Sequence, residues 1–172
     1  MRRTSLIAAV LLAPGCGDAG TSRVPSPQSA ATAESAAVTV YFTRDEAPVA
    51  VTRTVPGSDR DLRVALEILL QGPAAAEREQ GITSWFSAAT AGRLLSAAVD
   101  GTGRAIVDFD DLPSVLPNAS SSTGSTLLLQ ELNGTVFADP DVRSVEYRSN
   151  GSCEAFWNWL QYDCRIVTRP GS

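Results

Sequence analysis

A chain of 172 residues with a formal charge of −5 and 44% hydrophobic residues suits one domain with a real core plus short extensions. Every basic residue is Arg and there is no His, which excludes imidazole catalysis and most zinc sites. The acidic balance also excludes nonspecific nucleic-acid binding, which needs clustered cations to displace phosphate counterions, so no nucleic-acid partner is expected.

Met1-Arg2-Arg3 is a basic n-region, Leu6 to Leu12 a short apolar run, and Ala13-Pro14-Gly15-Cys16 follows at the spacing of an export signal. So short a run does not span a bilayer core of ~30 Å as a helix. The small residues before Cys16 resemble a bacterial lipobox, although Ala13 stands where Leu is usual. Residues 1–16 are therefore read as a lipoprotein signal with Cys16 as the lipidated residue, because an unpaired thiol in an oxidising compartment is a liability; ordinary secretory cleavage with a free Cys16 is the alternative. Two acyl chains would anchor the chain durably in the bacterial cell membrane, and processing removes Arg2 and Arg3, so attraction to anionic lipid adds nothing. Residues 17–36, rich in Gly, Ser, Thr, Pro and Ala, read as a disordered tether with a reach on the order of 25 Å.

A folded domain is expected over residues 37–151, with its first strand at Val38. Val38, Val40 and Phe42 alternate with Thr39, Tyr41 and Thr43, the period of a strand with two unlike faces. Val49 to Val55 alternates likewise and should pair antiparallel with it. Arg53 on that strand is read as a half-exposed partner of an acid, or a buried bidentate one. Next comes an amphipathic helix: Leu62, Ala65, Leu66, Leu69 and Leu70 form one stripe, Ser58 and Asp61 cap its start, and Gly72-Pro73 stops it. Ala74 to Gln80 has helical composition and Gly81 breaks it. Leu94 to Val99 and Ala105 to Phe109 form a hairpin around Asp100-Gly101-Thr102-Gly103. A second main helix runs from Ser125 to Val136 with Leu128, Leu129, Leu132 and Val136 buried, and Val142 to Tyr147 is a fifth strand. This order predicts an α+β fold with a single mixed or mostly antiparallel sheet and two main helices packed on one face.

The runs Tyr41-Phe42, Val51 to Val55, Ala65 to Pro73, Gly81-Ile82-Thr83-Ser84, Ala105 to Asp108 and Val142 to Val145 resemble the GerMN domain of the sporulation and germination GerM family. The resemblance covers about Val38 to Gly151, and its most specific element is Leu69-Leu70-Gln71-Gly72-Pro73 followed by Gly81-Ile82-Thr83-Ser84. It implies a fold similar to ring-building motifs and a non-catalytic, membrane-tethered, extracytoplasmic assembly module that takes no cofactor. Its partner would be an envelope protein or a second copy. The chain departs from the family at Trp85-Phe86-Ser87 and adds residues 152–172 as an extension of the same domain.

With Cys16 lipidated, Cys153 and Cys164 remain to pair as a disulfide, closing a loop whose constraint stabilises by roughly 3 kcal/mol. Trp157, Trp159 and Trp85 are candidate partner contacts, since aromatic rings dominate interface hot spots, with packing in the core as the ordinary alternative. Asp108, Asp110 and Asp111 cluster at a strand end. Solvated carboxylates explain them better than a calcium site or a glycosidase pair, so no catalytic and no metal residue is assigned. The alternative function is a small-molecule or cell-wall glycan binder with a cleft near Trp85 and the Asp cluster, and a hydrolase ranks behind it.

Overall fold

The computed structural model describes residues 35–57 and 61–171. The expectations for Cys16 and the export signal, and the capping role of Ser58, lie outside the described residues.

Strands β1 (Ser35–Arg44) and β2 (Ala47–Pro56) form an antiparallel hairpin in which every residue from Ser35↔Pro56 to Arg44↔Ala47 is paired. Asp45 and Glu46 turn it with φ of 50° and 63°, the double left-handed geometry of a two-residue hairpin loop. Ser35 and Ala36, which composition assigned to the tether, are the first residues of β1. Helix α1 (Leu62–Gln71) buries all five residues of the expected stripe, and its N-cap Asp61 accepts from the N–H of Arg63. A short α2 (Ala75–Glu79) follows, and Glu77 from it makes a bidentate pair with Arg53 of β2. That pair raises the Arg53 pKa and lowers that of Glu77.

Strands β3 (Leu94–Val99) and β4 (Arg104–Phe109) pair antiparallel. Their turn is held by the Asp100 carboxylate, which accepts from Thr102 Oγ1 and from the N–H groups of Thr102 and Arg104; these bonds lower its pKa. A crossover through α3 (Leu112–Val115), a 3-10 turn (Pro117–Ser120) and α4 (Ser122–Phe137) leads to β5 (Ser144–Ser149), parallel to β4. Helix α5 (Cys153–Trp159) and β6 (Val167–Thr168), antiparallel to β5, complete the chain.

The class is α+β, but the single expected sheet is two: β1-β2 alone, and β3-β4-β5-β6. The reason lies at the outer edge of β1. Thr135 of α4 takes the N–H of Tyr41, and Thr43 exchanges both backbone bonds with Thr83 in a loop, so no second-sheet strand joins there. The helices are consequently not confined to one face of one sheet. Helix α1 packs on both β1 and β3, while α4 packs on β1 and reaches β5 through a 2.9 Å hydrogen bond from Tyr147 Oη to Asn133. Gly134 permits the close approach of α4 to β1, because a Cβ there would stand 2.6 Å from the Tyr41 ring.

Candidate functional site: the Glu131 junction and the aromatic tail

Glu131 lies on α4 one turn beyond Leu128 and is fully buried. Its carboxylate accepts from Thr43 Oγ1 of β1 at 2.8 Å and from Ser84 Oγ at 2.6 Å, with a further bond from the Trp85 backbone. Burial opposes the charge more than these donors support it, and the pKa is pushed up to about 7. One side chain thus binds the hairpin, the loop after α2 and helix α4 together. A cleft of about 290 Å³ opens over it, walled by Thr83, Ser84, Leu127 and the half-buried Trp85.

The loop that delivers Ser84 is itself fixed by the end of α1. Gly72 has φ +75° and ends the helix through its N–H to Leu69 O. A Cβ there would meet Phe86 O at 2.3 Å, so both conformation and space require glycine. Thr90 Oγ1 donates to Leu70 O at 2.6 Å and satisfies another terminal carbonyl of α1. The two signature segments are therefore one structure: Gly72-Pro73 receives Phe86, Thr83 bonds β1, and Ser84 holds Glu131.

The aromatic tail has a different character. Cys153 and Cys164 are joined by a disulfide with Cα atoms 5.4 Å apart. Phe156 is fully buried and stacks on Phe109 and Tyr147, with centroids 6.0 and 5.2 Å away. Burial raises the Tyr147 pKa well above its usual value. Trp157 was a candidate partner contact, but only 2% of it is exposed; it packs at 5.6 Å from Phe156 and beneath the Arg165 guanidinium. Helical spacing explains the correction, since Cys153, Phe156, Trp157 and Leu160 share the inner face of α5 and its end. Trp159 is half-buried, edge-on to Phe156 at 5.9 Å, and presents part of its ring to solvent.

The Asp cluster does not converge on a ligand. Asp108 accepts the N–H of Gly151, Asp110 pairs with Arg93 at 2.8 Å, and Asp111 is exposed. None of the three lines the Trp85 cleft, so the expected cleft shared by Trp85 and these acids does not form. No group of three or more Cys, Asp or Glu able to hold a metal occurs among the described residues. Glu131 was absent from the sequence expectations. Its signal was a charged residue three positions after Leu128, inside the apolar stripe.

The described residues form an α+β domain with a two-stranded hairpin sheet, a parallel crossover and this signature junction. A family model described as "Germane: Sporulation and spore germination" matches residues 39–153, and the chain belongs to that family. The tandem GerMN domains of the sporulation protein GerM from Bacillus subtilis are similar in structure, with TM-score 0.58 and 25% identity over 81% of this chain and 46% of that one. The chain thus spans about half the length of that tandem protein. The first GerMN domain of the same protein gives TM-score 0.45 and 17% identity over 67% of this chain and 84% of that one. A candidate lipoprotein from Clostridium perfringens gives TM-score 0.45 and 14% identity over 78% and 88%. No curated protein matches the chain.

Proposed function

We propose that this chain is an extracytoplasmic assembly module, anchored to the bacterial membrane through lipid on Cys16, that binds another envelope protein or a second copy of itself and catalyses nothing. The observation that carries this reading is the β1-β2 hairpin, a sheet of its own that, among the described residues, leaves backbone unpaired along β2 and at Ala37 and Thr39 of β1. On β2 the positions without a backbone partner among the described residues are Ala50, Thr52 and Thr54, all exposed. Such an edge is the template for strand addition by a partner. The Glu131 carboxylate, the buried acid among the described residues, is consumed in holding three of its own elements, which suits a scaffold better than a proton-transfer site.

Crosslinked capture from intact cells tests the assembly reading. One envelope protein, or self-crosslinked oligomers, is the expected recovery, and bulk membrane protein alone would overturn it. Cys16→Ser is expected to release the chain from the membrane fraction; retention there would remove the anchor.

A second reading, as a small-molecule or cell-wall glycan binder, is favoured by the cleft beside Trp85. Saturable quenching of tryptophan fluorescence by cell-wall fragments, without turnover and abolished in Trp85→Ala, would support it.

A further inference from the structure

The outer edge of β1 is closed along one half and open along the other. In a two-residue hairpin the pair flanking the turn is hydrogen-bonded, so Arg44↔Ala47 sets the alternation and the odd-numbered residues of β1 direct their N–H and C=O away from β2. The Tyr41 N–H is taken by Thr135, and both the N–H and the C=O of Thr43 by Thr83. At Ala37 and Thr39 no partner occurs among the described residues. Here the edge opens onto a groove of about 320 Å³ between the start of α1 and the turn after α4.

Three acids line this groove: Asp61, Asp139 and Asp141. Asp61 and Asp139 each commit one carboxylate oxygen to a backbone N–H, of Arg63 and Asp141 respectively. None of the three is ion-paired among the described residues. The turn carrying Asp139 is held firmly, because Arg169 donates to the carbonyls of Phe137, Asp139 and Val142. Unpaired strand backbone and a fixed acidic wall therefore face the same space.

We infer that this groove takes an extended, Arg- or Lys-bearing segment of a partner protein, which adds to β1 as a third strand at Ala37 and Thr39 and sets basic side chains against Asp61, Asp139 and Asp141. This inference rests on the assembly reading and names its partner's chemistry. Main-chain bonds supply affinity in such strand addition, and side chains at alternate positions supply selectivity. A second copy is a poor occupant: the chain carries a net charge of −5, and Arg53, the cation on its other open edge strand, is already paired with Glu77. The edge of β2 is the lesser site, since Pro48 and Pro56, which lack an N–H, bracket it and no acidic wall stands beside it.

The probe is a capped pentapeptide of alternating Arg and Val, titrated against the full chain at low salt. Saturable binding is expected, weakened at least tenfold by replacing Arg with Glu, by methylating alternate peptide amides, or by the protein variant Asp139→Asn/Asp141→Asn. Hydrogen exchange at the Thr39 amide should slow on binding. Absence of saturable binding would overturn the groove, as would a methylated peptide that binds equally well, an arm that needs no protein variant. In intact cells, a partner captured equally by wild type and by Asp139→Asn/Asp141→Asn would refute the groove while leaving the assembly reading in place. Failure of wild type to capture anything would refute the assembly reading itself.

Discussion

Helices α1 and α4 both pack on β1 and both reach the four-stranded sheet, α1 by packing on β3 and α4 through the Tyr147–Asn133 hydrogen bond, yet their buried faces are made differently. That of α1 is wholly apolar: Leu62, Ala65, Leu66, Leu69 and Leu70. That of α4 interleaves Leu128, Leu132 and Val136 with Ser125, Glu131 and Thr135. The polar residues of α4 sit where it meets backbone and loops: Thr135 bonds Tyr41, and Glu131 bonds Thr43, Ser84 and Trp85. An apolar stripe fills volume wherever volume is available, whereas a buried polar group is tolerated only where a specific partner meets it. Helix α1 therefore supplies cohesion, and α4 fixes which loop and which strand lie where.

The comparison breaks most severely at its apolar side. Leu66→Ala removes a fully buried side chain from the centre of α1 and should cost roughly 2–5 kcal/mol, read as a lower urea midpoint with little change in slope. A loss under about 1 kcal/mol would mean that the α1 interface repacks and is not the cohesive element. The covalent staple comes next. Cys153→Ser/Cys164→Ser opens a loop of sequence separation 11 and should cost roughly 3 kcal/mol, visible in thermal unfolding. Because Phe156 and Trp157 are part of the core, that loss should also reach near-UV signals from the buried rings. A change confined to the last residues would show that the tail is packed independently of the domain.

These two helices also show what was legible in the sequence. The stripe of α1, its cap at Asp61 and its stop at Gly72 could be read because the periodic apolar residues and the terminating glycine are local signals. The strands were legible for the same reason, but their grouping into sheets was not. Whether the hairpin joins the second sheet depends on Thr135 and Thr83 reaching the edge of β1, contacts with sequence separations of 94 and 40 that no local pattern encodes. The site was hidden by a similar cause: Glu131 looks like an ordinary helix-surface acid until Thr43 and Ser84 are brought to it. Trp157 was open to both readings, because a run of aromatics in a tail fits a patch or a core until its helical phase turns it inward. The left-over β6 strand was missed because two residues carry no periodicity.

The α4 side of the comparison can be sharpened through pH. With the Glu131 pKa raised from 4.5 to about 7, the folded chain holds a proton on this carboxyl that the unfolded chain has released over that interval. Stability from this group is thus fully present below about pH 4.5 and declines as pH rises through about 7, by a few kcal/mol in all. Glu77 acts oppositely, since its lowered pKa makes the Arg53 pair a contribution that is lost as pH falls. The difference in melting temperature between wild type and Glu131→Gln isolates the first effect: it should favour wild type at low pH and shrink or reverse toward neutrality. Parallel curves would show that Glu131 stays ionised throughout, its three donors outweighing burial.

The smallest effect distinguishes a polar contact from mere packing on α4. Thr135→Val keeps the branched shape that fills the α4–β1 contact but removes the oxygen that accepts the Tyr41 N–H at 2.9 Å. The N–H is then left without an acceptor on a strand edge that α4 covers, and the expected cost is about 1–2 kcal/mol in chemical unfolding. If Thr135 serves only as bulk, the cost should vanish, since valine restores the volume. The same variant tests the closed half of β1: hydrogen exchange at Tyr41 should accelerate while Thr43, bonded to Thr83, stays protected. Faster exchange at both residues together would mean that Thr135 holds the whole edge shut, and that the two contacts form one cooperative latch between helix α4 and the hairpin.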